Sequence, residues 1–250
     1  MPTGNQVPDT IYLFDAGNTR IKWVVHDGRT YVSTGAIETA RVMGLEQALA
    51  DTTPASRALA SNVAGAAVKD AIERACKAKG CTVAFISSRP EQLGIVSGYR
   101  DPSQLGTDRW AALIAAHRVG PGHKLVVNAG TALTIDALAA DGRFLGGMIV
   151  PGPALMRRAL DRGTAGLRLT EGVFADFPAS TPDAITTGAI QACAGAIERM
   201  RDSMAGAGCA PSQIVLSGGA APELAGHLPI AATIRENLVL DGLLLIARSD

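Results

Sequence analysis

The sequence has little that would suit a strongly charged partner or a membrane. It carries 23 basic and 23 acidic residues, so its formal net charge is zero, and it contains only two Trp, three Tyr and five Phe. No basic run is interleaved with aromatic residues, which gives no support to nucleic acid or an anionic membrane as a partner. The most apolar stretch, Leu238 to Ala247, is interrupted by Asp241 and is too short to span a bilayer. We therefore expect no nucleic-acid partner and no membrane partner.

Targeting and metal-binding signals are also scarce. Residues 1–10 contain neither the apolar core of a secretory signal nor an Arg-rich amphipathic helix. The four cysteines and four histidines show no zinc spacing, no Cys-x-x-Cys pair and no metal-ligand pair. We expect reduced thiols, no structural zinc and a cytoplasmic protein.

The apolar content is high enough for a sizeable core. Of the 250 residues, 47% are hydrophobic and 18% are charged, as in well-packed globular proteins. This length is compatible with one domain or with two small ones.

The stretch from Asp15 to Trp23 predicts a hairpin with a functional tip. Apolar runs at 11–14 and 21–25 flank it, and each has the content of a buried strand. Gly17 can take a positive φ and let the backbone approach a ligand closely. Backbone amides at such a tip can hold phosphate oxygens, and Asp15 can hold a hydrated Mg²⁺. An ordinary hairpin with a turn Asp is the alternative.

A second copy of this pattern lies 113 residues further along the chain, where Asn128-Ala129-Gly130 aligns with Asp15-Ala16-Gly17. Both copies have an apolar strand, a small-residue turn and a second strand. An internal repeat is stronger evidence for architecture than any local signal. The chain therefore looks like two related halves.

Four motifs occur in order: Asp-x-Gly-Asn-Thr near the N-terminus, Leu-Gly-Thr-Asp-Arg-Trp at 105–110, Gly-Thr-Ala-Leu-Thr-Ile-Asp at 130–136 and Gly-Gly-x-Ile-x-Pro-Gly at 146–152. Together they closely resemble the type III pantothenate kinases, a branch of the acetate and sugar kinase/Hsp70/actin superfamily. The resemblance implies an α/β fold of two RNase H-like domains with a nucleotide cleft between them. We predict a flexible N-terminus at 1–10 and domains at 11–120 and 121–250.

The same resemblance implies ATP-dependent phosphorylation of pantothenate, with Mg²⁺, as the first step toward coenzyme A, and a homodimer. Another small-molecule kinase or phosphohydrolase of the superfamily is an alternative. A nucleotide-binding regulator without turnover is a second one, although loss of the catalytic base would be expected of it.

Asp108 is the predicted catalytic base. A kinase acting on an alcohol needs a carboxylate to accept the hydroxyl proton, and the matching Asp is the family's proposed base. A carboxylate that only complements a helix dipole is the alternative. Arg109 can hold the pantothenate carboxylate through its fork of donors, or can form a surface salt bridge.

The remaining site residues are implied by the resemblance. Those predicted to bind ATP or its phosphates are Asp15, Ala16, Gly17, Asn18, Thr19, Arg20, Ile21, Lys22 and Thr131. Apart from the resemblance, Gly218 and Gly219 follow a predicted strand and would leave room for the flat adenosine. Those predicted to bind pantothenate are Tyr99, Gly106, Thr107, Asp108, Arg109 and Thr181. Lys22 can instead be a solvated strand residue, and Thr181 can also cap a helix.

One position departs from the family. Relatives usually carry Asp where this chain has Asn128, and that Asp resembles a ligand for an activating monovalent cation. Asn keeps an oxygen donor and loses the charge, so dependence on K⁺ or NH₄⁺ is in doubt.

Several local elements are predicted from periodicity and breakers. They are an amphipathic helix within Gly35–Ala50, a long loop from Arg89 to Leu105, a helix capped by Thr107, a loop from Arg162 to Ser180 and a long helix from Pro182 to about Met204.

Overall fold

The computed structural model describes residues 10–163, 171–228 and 230–249. Its strands are β1 (Ile11–Ala16), β2 (Arg20–His26), β3 (Tyr31–Glu38), β4 (Arg57–Asn62), β5 (Thr82–Phe85), β6 (Glu91–Gln92), β7 (Ile95–Val96), β8 (Lys124–Ala129), β9 (Ala132–Leu138), β10 (Phe144–Pro151), β11 (Gln213–Ser217) and β12 (Ala232–Ile234). Its α-helices are α1 (Leu45–Ala48), α2 (Ala66–Ala78), α3 (Thr107–His117), α4 (Pro153–Gly163), α5 (Thr181–Gly206), α6 (Ala221–Ala225) and α7 (Leu238–Ala247).

Contacts divide the chain into two compact units. The first unit consists of residues 1–89, 101–115 and 239–250, and the second of residues 90–100 and 116–238. The boundary expected near residue 120 stays a prediction. Two segments belong to the other unit than chain order would suggest. Helix α7 lies in the first unit, and the segment 90–100 lies in the second.

The first unit is built on a five-stranded sheet of order β3-β2-β1-β4-β5. Strand β1 lies at its centre, antiparallel to β2 and parallel to β4. Its apolar residues are buried because both faces of a central strand are covered. Tyr12, Phe14 and Trp23 lie in the core beneath α2, which ends before Gly80 at φ +75.

Helix α7 contacts β3 and α3 of the first unit. The Tyr31 hydroxyl donates to the carboxylate of Asp241 over 2.8 Å, which ties β3 to α7. A Cβ on Gly242 would collide with the carbonyl of Ala111 in α3. Glycine at 242 therefore lets the α7 and α3 backbones meet.

The second unit repeats the arrangement with a five-stranded sheet of order β10-β9-β8-β11-β12. Strand β8 takes the central place of β1, antiparallel to β9 and parallel to β11. Leu125, Val127, Ile190 and Ile197 lie in a core between this sheet and α5. The repeated order confirms the predicted α/β fold of two duplicated halves.

Some local predictions were wrong. The segment Gly35–Ala50 continues β3 as far as Glu38, forms a 3₁₀ helix at Thr39–Gly44 and leaves only the four residues of α1 as α-helix. Burial alternates along β3 with the period of two that is typical of a strand. The predicted helix was therefore wrong for the residues of β3 and for most of those that follow. The predicted loop 89–105 contains the hairpin β6–β7 and a 3₁₀ helix at Pro102–Gln104.

The long helix was correctly predicted, and α5 spans 26 residues. Its N-cap is Ser180, whose hydroxyl accepts from the Asp183 amide, so the expectation that Thr181 caps it was wrong. Residues 171–180 form no helix or strand, as expected, and residues 164–170 of that predicted loop lie outside the described residues. Among the described helices, none is long and apolar enough to cross a membrane.

Candidate active site

The first hairpin tip joins β1 to β2 at the end of the central strand. Asp15 lies opposite Lys22 on β2 and beside Ser61 on the parallel strand β4. The turn is closed by the Gly17 amide, which donates to the Arg20 carbonyl over 3.0 Å. The side chains of the next residues along this turn are exposed, as a surface that meets a ligand requires.

Gly17 does not take the conformation expected of it. It is absent from the described glycines with φ in the left-handed region, and a Cβ there would lie 3.3 Å from the Arg20 carbonyl oxygen. The turn therefore needs Gly17 for close packing, and the expected positive φ was wrong.

Two carboxylates of the first unit have raised pKa values. Burial of the Asp15 carboxyl, together with the charge of Asp108, raises the pKa of Asp15 to about 7, and the charge of Lys22 opposes this rise. Burial also raises the pKa of Asp108, against the lowering effect of the Arg109 amide and charge. A carboxylate pair of this kind favours cations and proton transfer, and such pairs are concentrated at functional sites.

Asp108 is held at the start of α3 by local geometry. Its Oδ1 accepts from the Arg109 amide over 2.8 Å. A Cβ on Gly106 would lie 2.6 Å from that same Oδ1, so only glycine leaves the carboxylate its place. The neighbouring Thr107 hydroxyl hydrogen-bonds the Ser61 hydroxyl over 2.8 Å, which links α3 to the strand beside Asp15.

Arg109 is buried, with 5% of its surface exposed. This burial does not match the alternative of a surface salt bridge. A buried guanidinium next to Asp108 suits an anionic group that is taken out of water.

The second hairpin tip has the same strand pairing, a turn one residue shorter and neutral side chains. Asn128 lies opposite Thr134 on β9 and beside Ser217 on β11. The Gly130 amide donates to the Ala132 carbonyl over 3.0 Å. Thr131 follows Gly130 in the turn and is half-buried.

Gly218 is required where β11 meets this turn. Its φ is +95, and a Cβ there would collide with the Ala129 carbonyl and lie 2.7 Å from Oδ1 of Asn128. Gly219 is exposed, and a Cβ on it would meet nothing within 4 Å. Close backbone approach is therefore a property of Gly218, and Gly219 leaves open space beside it.

Tyr99 is held on the start of β10. Its ring lies 5.3 Å from that of Phe144 at 41°, and a Cβ on Gly98 would collide with the Phe144 carbonyl. The Val96 amide donates to the Gly142 carbonyl over 3.1 Å. Segment 90–100 is thus anchored to the β9–β10 hairpin, which fixes the position of Tyr99.

Thr181 is the exposed first residue of α5 and lines an apolar cavity of about 840 Å³. The other lining residues belong to the end of β10, to α4 and to α5: Pro151, Leu155, Met156, Ala159, Leu160, Ala184, Ile185, Gly188 and Ala189. Thr181 contributes a hydroxyl to a wall that is otherwise apolar.

The structure thus brings together some of the predicted residues. Within the first unit it joins Asp15, Lys22 and Asp108 electrostatically and places Arg109 beside them. Within the second it groups Asn128 with Gly218. Sequence reasoning missed Ser61 and Phe144. Ser61 could have been found, because a strand parallel to β1 brings its last residues beside Asp15, whereas Phe144 gave no signal.

A family model described as type III pantothenate kinase matches residues 11–203 of the chain. Curated relatives of that description include a protein of Aromatoleum aromaticum, 46% identical over 243 residues, which covers 96% of this chain and 98% of its own. Another, from Nitrosospira multiformis, is 44% identical over 234 residues and covers 94% of this chain and 89% of its own.

Solved structures share the fold. A Campylobacter jejuni protein described as a conserved Baf family transcriptional activator superposes with a TM-score of 0.63 at 23% identity, over 95% of this chain and 98% of its own. A Sinorhizobium meliloti protein described as a 2-dehydro-3-deoxygalactonokinase gives a TM-score of 0.59 at 15% identity, over 96% of this chain and 98% of its own. At these identities the likeness shows the fold alone, that of the actin-like ATPases and sugar kinases.

Proposed function

The chain belongs to the type III pantothenate kinase family, and we propose that it phosphorylates pantothenate through two carboxylates of its first unit, Asp15 and Asp108. The reaction moves the terminal phosphoryl group of ATP to the hydroxyl of pantothenate and gives 4′-phosphopantothenate, the first step of coenzyme A synthesis. The observation that supports the assignment of roles is a pair of half-buried carboxylates in the first unit, Asp15 at the end of β1 and Asp108 at the start of α3, both with raised pKa values.

Asp108 acts as the general base. Burial raises its pKa, which strengthens it as a proton acceptor, while the Arg109 amide bond and charge limit the rise and favour the ionised form. A base whose pKa lies closer to the working pH transfers protons more effectively. The hydrogen bond from the Arg109 amide to Oδ1 orients the carboxylate, and Gly106 leaves room for it.

The first hairpin tip binds the phosphates of ATP. The segment Asp15 to Lys22 supplies a carboxylate, backbone amides, the Asn18 and Thr19 side chains and the Lys22 ammonium group. Lys22 lies opposite Asp15 in register, so its charge faces the same end of the sheet. Thr131 contributes from the second tip, and the open space at Gly219 suits the flat adenosine.

The fold family implies Mg²⁺ with ATP, and the residues present suit it. Asp15 offers the oxygen ligand that Mg²⁺ prefers. Its raised pKa means that burial and the charge of Asp108 disfavour its ionised form, and a nearby cation would stabilise that form. When bound, Mg²⁺ neutralises charge that develops on the transferring phosphoryl group. Asn128 offers an oxygen without charge, so we expect weak or absent use of K⁺ or NH₄⁺.

Pantothenate is held by Arg109, which receives its carboxylate, and by Tyr99, Gly106, Thr107 and Thr181, which match the family's pantothenate-binding positions. The burial of Arg109 supports this role, because a desolvated guanidinium binds a carboxylate more strongly than an exposed one.

A homodimer in the cytoplasm completes the proposal. The apolar cavity beside α5 and the exposed side chains of Phe177 and Val173 support a protein partner on this part of the second unit. Sedimentation of the purified chain over a range of concentrations tests the dimer, and a monomer at every concentration would contradict it.

Mass spectrometry tests the reaction directly. Incubation of the chain with ATP, Mg²⁺ and pantothenate should give 4′-phosphopantothenate, and omission of pantothenate should leave ATP intact. Absence of the product mass across a panel of nucleotides and monovalent salts would overturn the assignment. Phosphate release without pantothenate would instead indicate a phosphohydrolase.

A further inference from the structure

In both halves, the residue that follows the third strand donates a backbone hydrogen bond to the turn of the hairpin tip. The Thr39 amide, directly after β3, donates to the Thr19 carbonyl over 2.9 Å. The Gly152 amide, directly after β10, donates to the Thr131 carbonyl over 2.8 Å. The two bonds occupy equivalent places in the repeat, so each half has the same backbone hydrogen bond between the end of its third strand and its hairpin turn.

The side chain at this position differs between the halves. The Thr39 hydroxyl donates to the Gly17 carbonyl over 2.7 Å, which adds a second bond to the first turn. At Gly152 a Cβ would collide with the Gly130 carbonyl, so no side chain has room there. The side-chain bond to the turn is therefore specific to the first unit.

The bond to Gly17 also determines where the next amide points. In a trans peptide the carbonyl of Gly17 and the N–H of Asn18 point in opposite directions. Since the Gly17 carbonyl is directed to Thr39, the Asn18 amide is directed away from Thr39. A rotation of this peptide would exchange the two groups and present a carbonyl oxygen where the amide had been.

A phosphate oxygen is attracted by an amide hydrogen and repelled by a carbonyl oxygen. A turn that binds phosphate therefore loses affinity in proportion to the time its peptide spends rotated. The Thr39 hydroxyl opposes that rotation, because the rotated peptide cannot accept its hydrogen bond.

We propose that Thr39 is a positioning residue of the ATP site, which holds the Gly17–Asn18 peptide with its amide toward the phosphates. This role rests on the proposed binding of ATP phosphates at the first hairpin tip. Thr39 itself touches no reacting atom, and it acts through the turn.

The test compares three variants with the wild type in pantothenate phosphorylation at saturating Mg²⁺. Thr39→Val keeps the shape and the backbone bond but removes the hydroxyl, and Thr39→Ser restores the hydroxyl. Thr34→Val, at an exposed position of β3, is the matched control. Each variant is assayed for kcat, for the KM of ATP and of pantothenate, and for its Tm.

We expect Thr39→Val to raise the KM for ATP on the order of fivefold, the effect of one lost hydrogen bond, while the KM for pantothenate stays within about twofold of wild type. Thr39→Ser and Thr34→Val should keep the wild-type KM for ATP. Calorimetric titration with a non-hydrolysable ATP analogue should show the same loss of affinity in Thr39→Val alone.

Other outcomes would contradict either the positioning role of Thr39 or the proposed function. An unchanged KM for ATP in Thr39→Val overturns the positioning role, as does equal impairment of the Val and Ser variants. A parallel rise of both KM values with a lower Tm would mean that Thr39 only supports the fold. A wild type that forms no 4′-phosphopantothenate would refute the proposed function, whatever the variants do.

Discussion

The two hairpin tips share the pairing of their strands and differ in charge and, by one residue, in the length of the turn. In each, the penultimate residue of the central strand lies beside a serine of the parallel strand, Ser61 next to Asp15 and Ser217 next to Asn128. Opposite Asp15 stands a lysine, whereas Thr134 stands opposite Asn128. Duplication has kept the strand pairing and changed the side chains at the two tips.

The difference in charge between the two tips bears on which half carries the reaction. The first unit has two carboxylates with raised pKa values, Asp15 opposite Lys22 and Asp108 at the start of α3, whereas the side chains of the second tip are neutral. The backbone alone therefore does not identify the reactive half. We propose that the charged half, with Asp15, Lys22 and Asp108, carries the chemistry.

The largest expected effect comes from the charged half. Asp108→Asn keeps the size of the side chain and an oxygen that can accept the Arg109 amide, but it removes the proton acceptor. We expect turnover to fall by roughly 10²–10⁴-fold with substrate binding retained. Steady-state kinetics and calorimetric binding of pantothenate check this, and near-normal turnover would return Asp108 to a helix-dipole role.

The next effect comes from the neutral half. Gly218→Ala places a Cβ against the Ala129 carbonyl at a φ of +95, so it should destabilise the second unit by about 1–3 kcal/mol and weaken ATP binding. Gly219→Ala, one residue on, meets nothing within 4 Å and should be nearly neutral. Thermal unfolding with and without ATP compares them, and equal Tm values would show that the close approach at Gly218 has no consequence.

A smaller effect is the pH dependence of stability. The pKa of Asp15 is about 7 in the folded chain against an ordinary value of 3.8, so the folded state holds a proton that the unfolded state releases. Asp15 therefore lowers the free energy of unfolding as pH rises from about 4 to about 7. Asp15→Asn should remove this decline. The variant should therefore be more stable than wild type at pH 8, because it has no buried carboxylate to ionise.

Urea denaturation at pH 5 and pH 8 without Mg²⁺ measures that difference. Asp27→Asn is the control, because hydrogen bonds from the Thr30 and Arg29 amides lower the pKa of Asp27 and it titrates below this range. If Asp15→Asn and wild type lose stability equally between the two pH values, the carboxyl of Asp15 is not desolvated as described.

The smallest effect is expected at Asn128. A carboxylate attracts a monovalent cation directly, and neutral Asn lacks that attraction. Asn128→Asp should lower the K⁺ concentration needed for half-maximal activity, measured at constant ionic strength. A wild type that already needs K⁺ strongly, with an overlapping curve for the variant, would show that other groups hold the cation.

The sequence predicted the fold well because the repeat of Asp15-Ala16-Gly17 at Asn128-Ala129-Gly130 reflects a duplicated backbone. It predicted α5 well because one apolar stripe persists along the helix. It failed at residues 39–50, where short helical pieces are fixed by tertiary contacts. The roles of Phe144 and Thr39 could not be predicted, because each depends on a strand register that local pattern does not determine.

The central claim is that the two carboxylates of the first unit do different work, and a Mg²⁺ titration tests it most directly. Pantothenate phosphorylation is followed against Mg²⁺ in the wild type, Asp15→Asn and Asp108→Asn at fixed ATP. We predict that Asp15→Asn needs a higher Mg²⁺ concentration for half-maximal activity. We predict that Asp108→Asn keeps the wild-type midpoint with a far lower maximum. Curves of the same midpoint for Asp15→Asn and wild type, or a shifted midpoint for Asp108→Asn, would contradict the account.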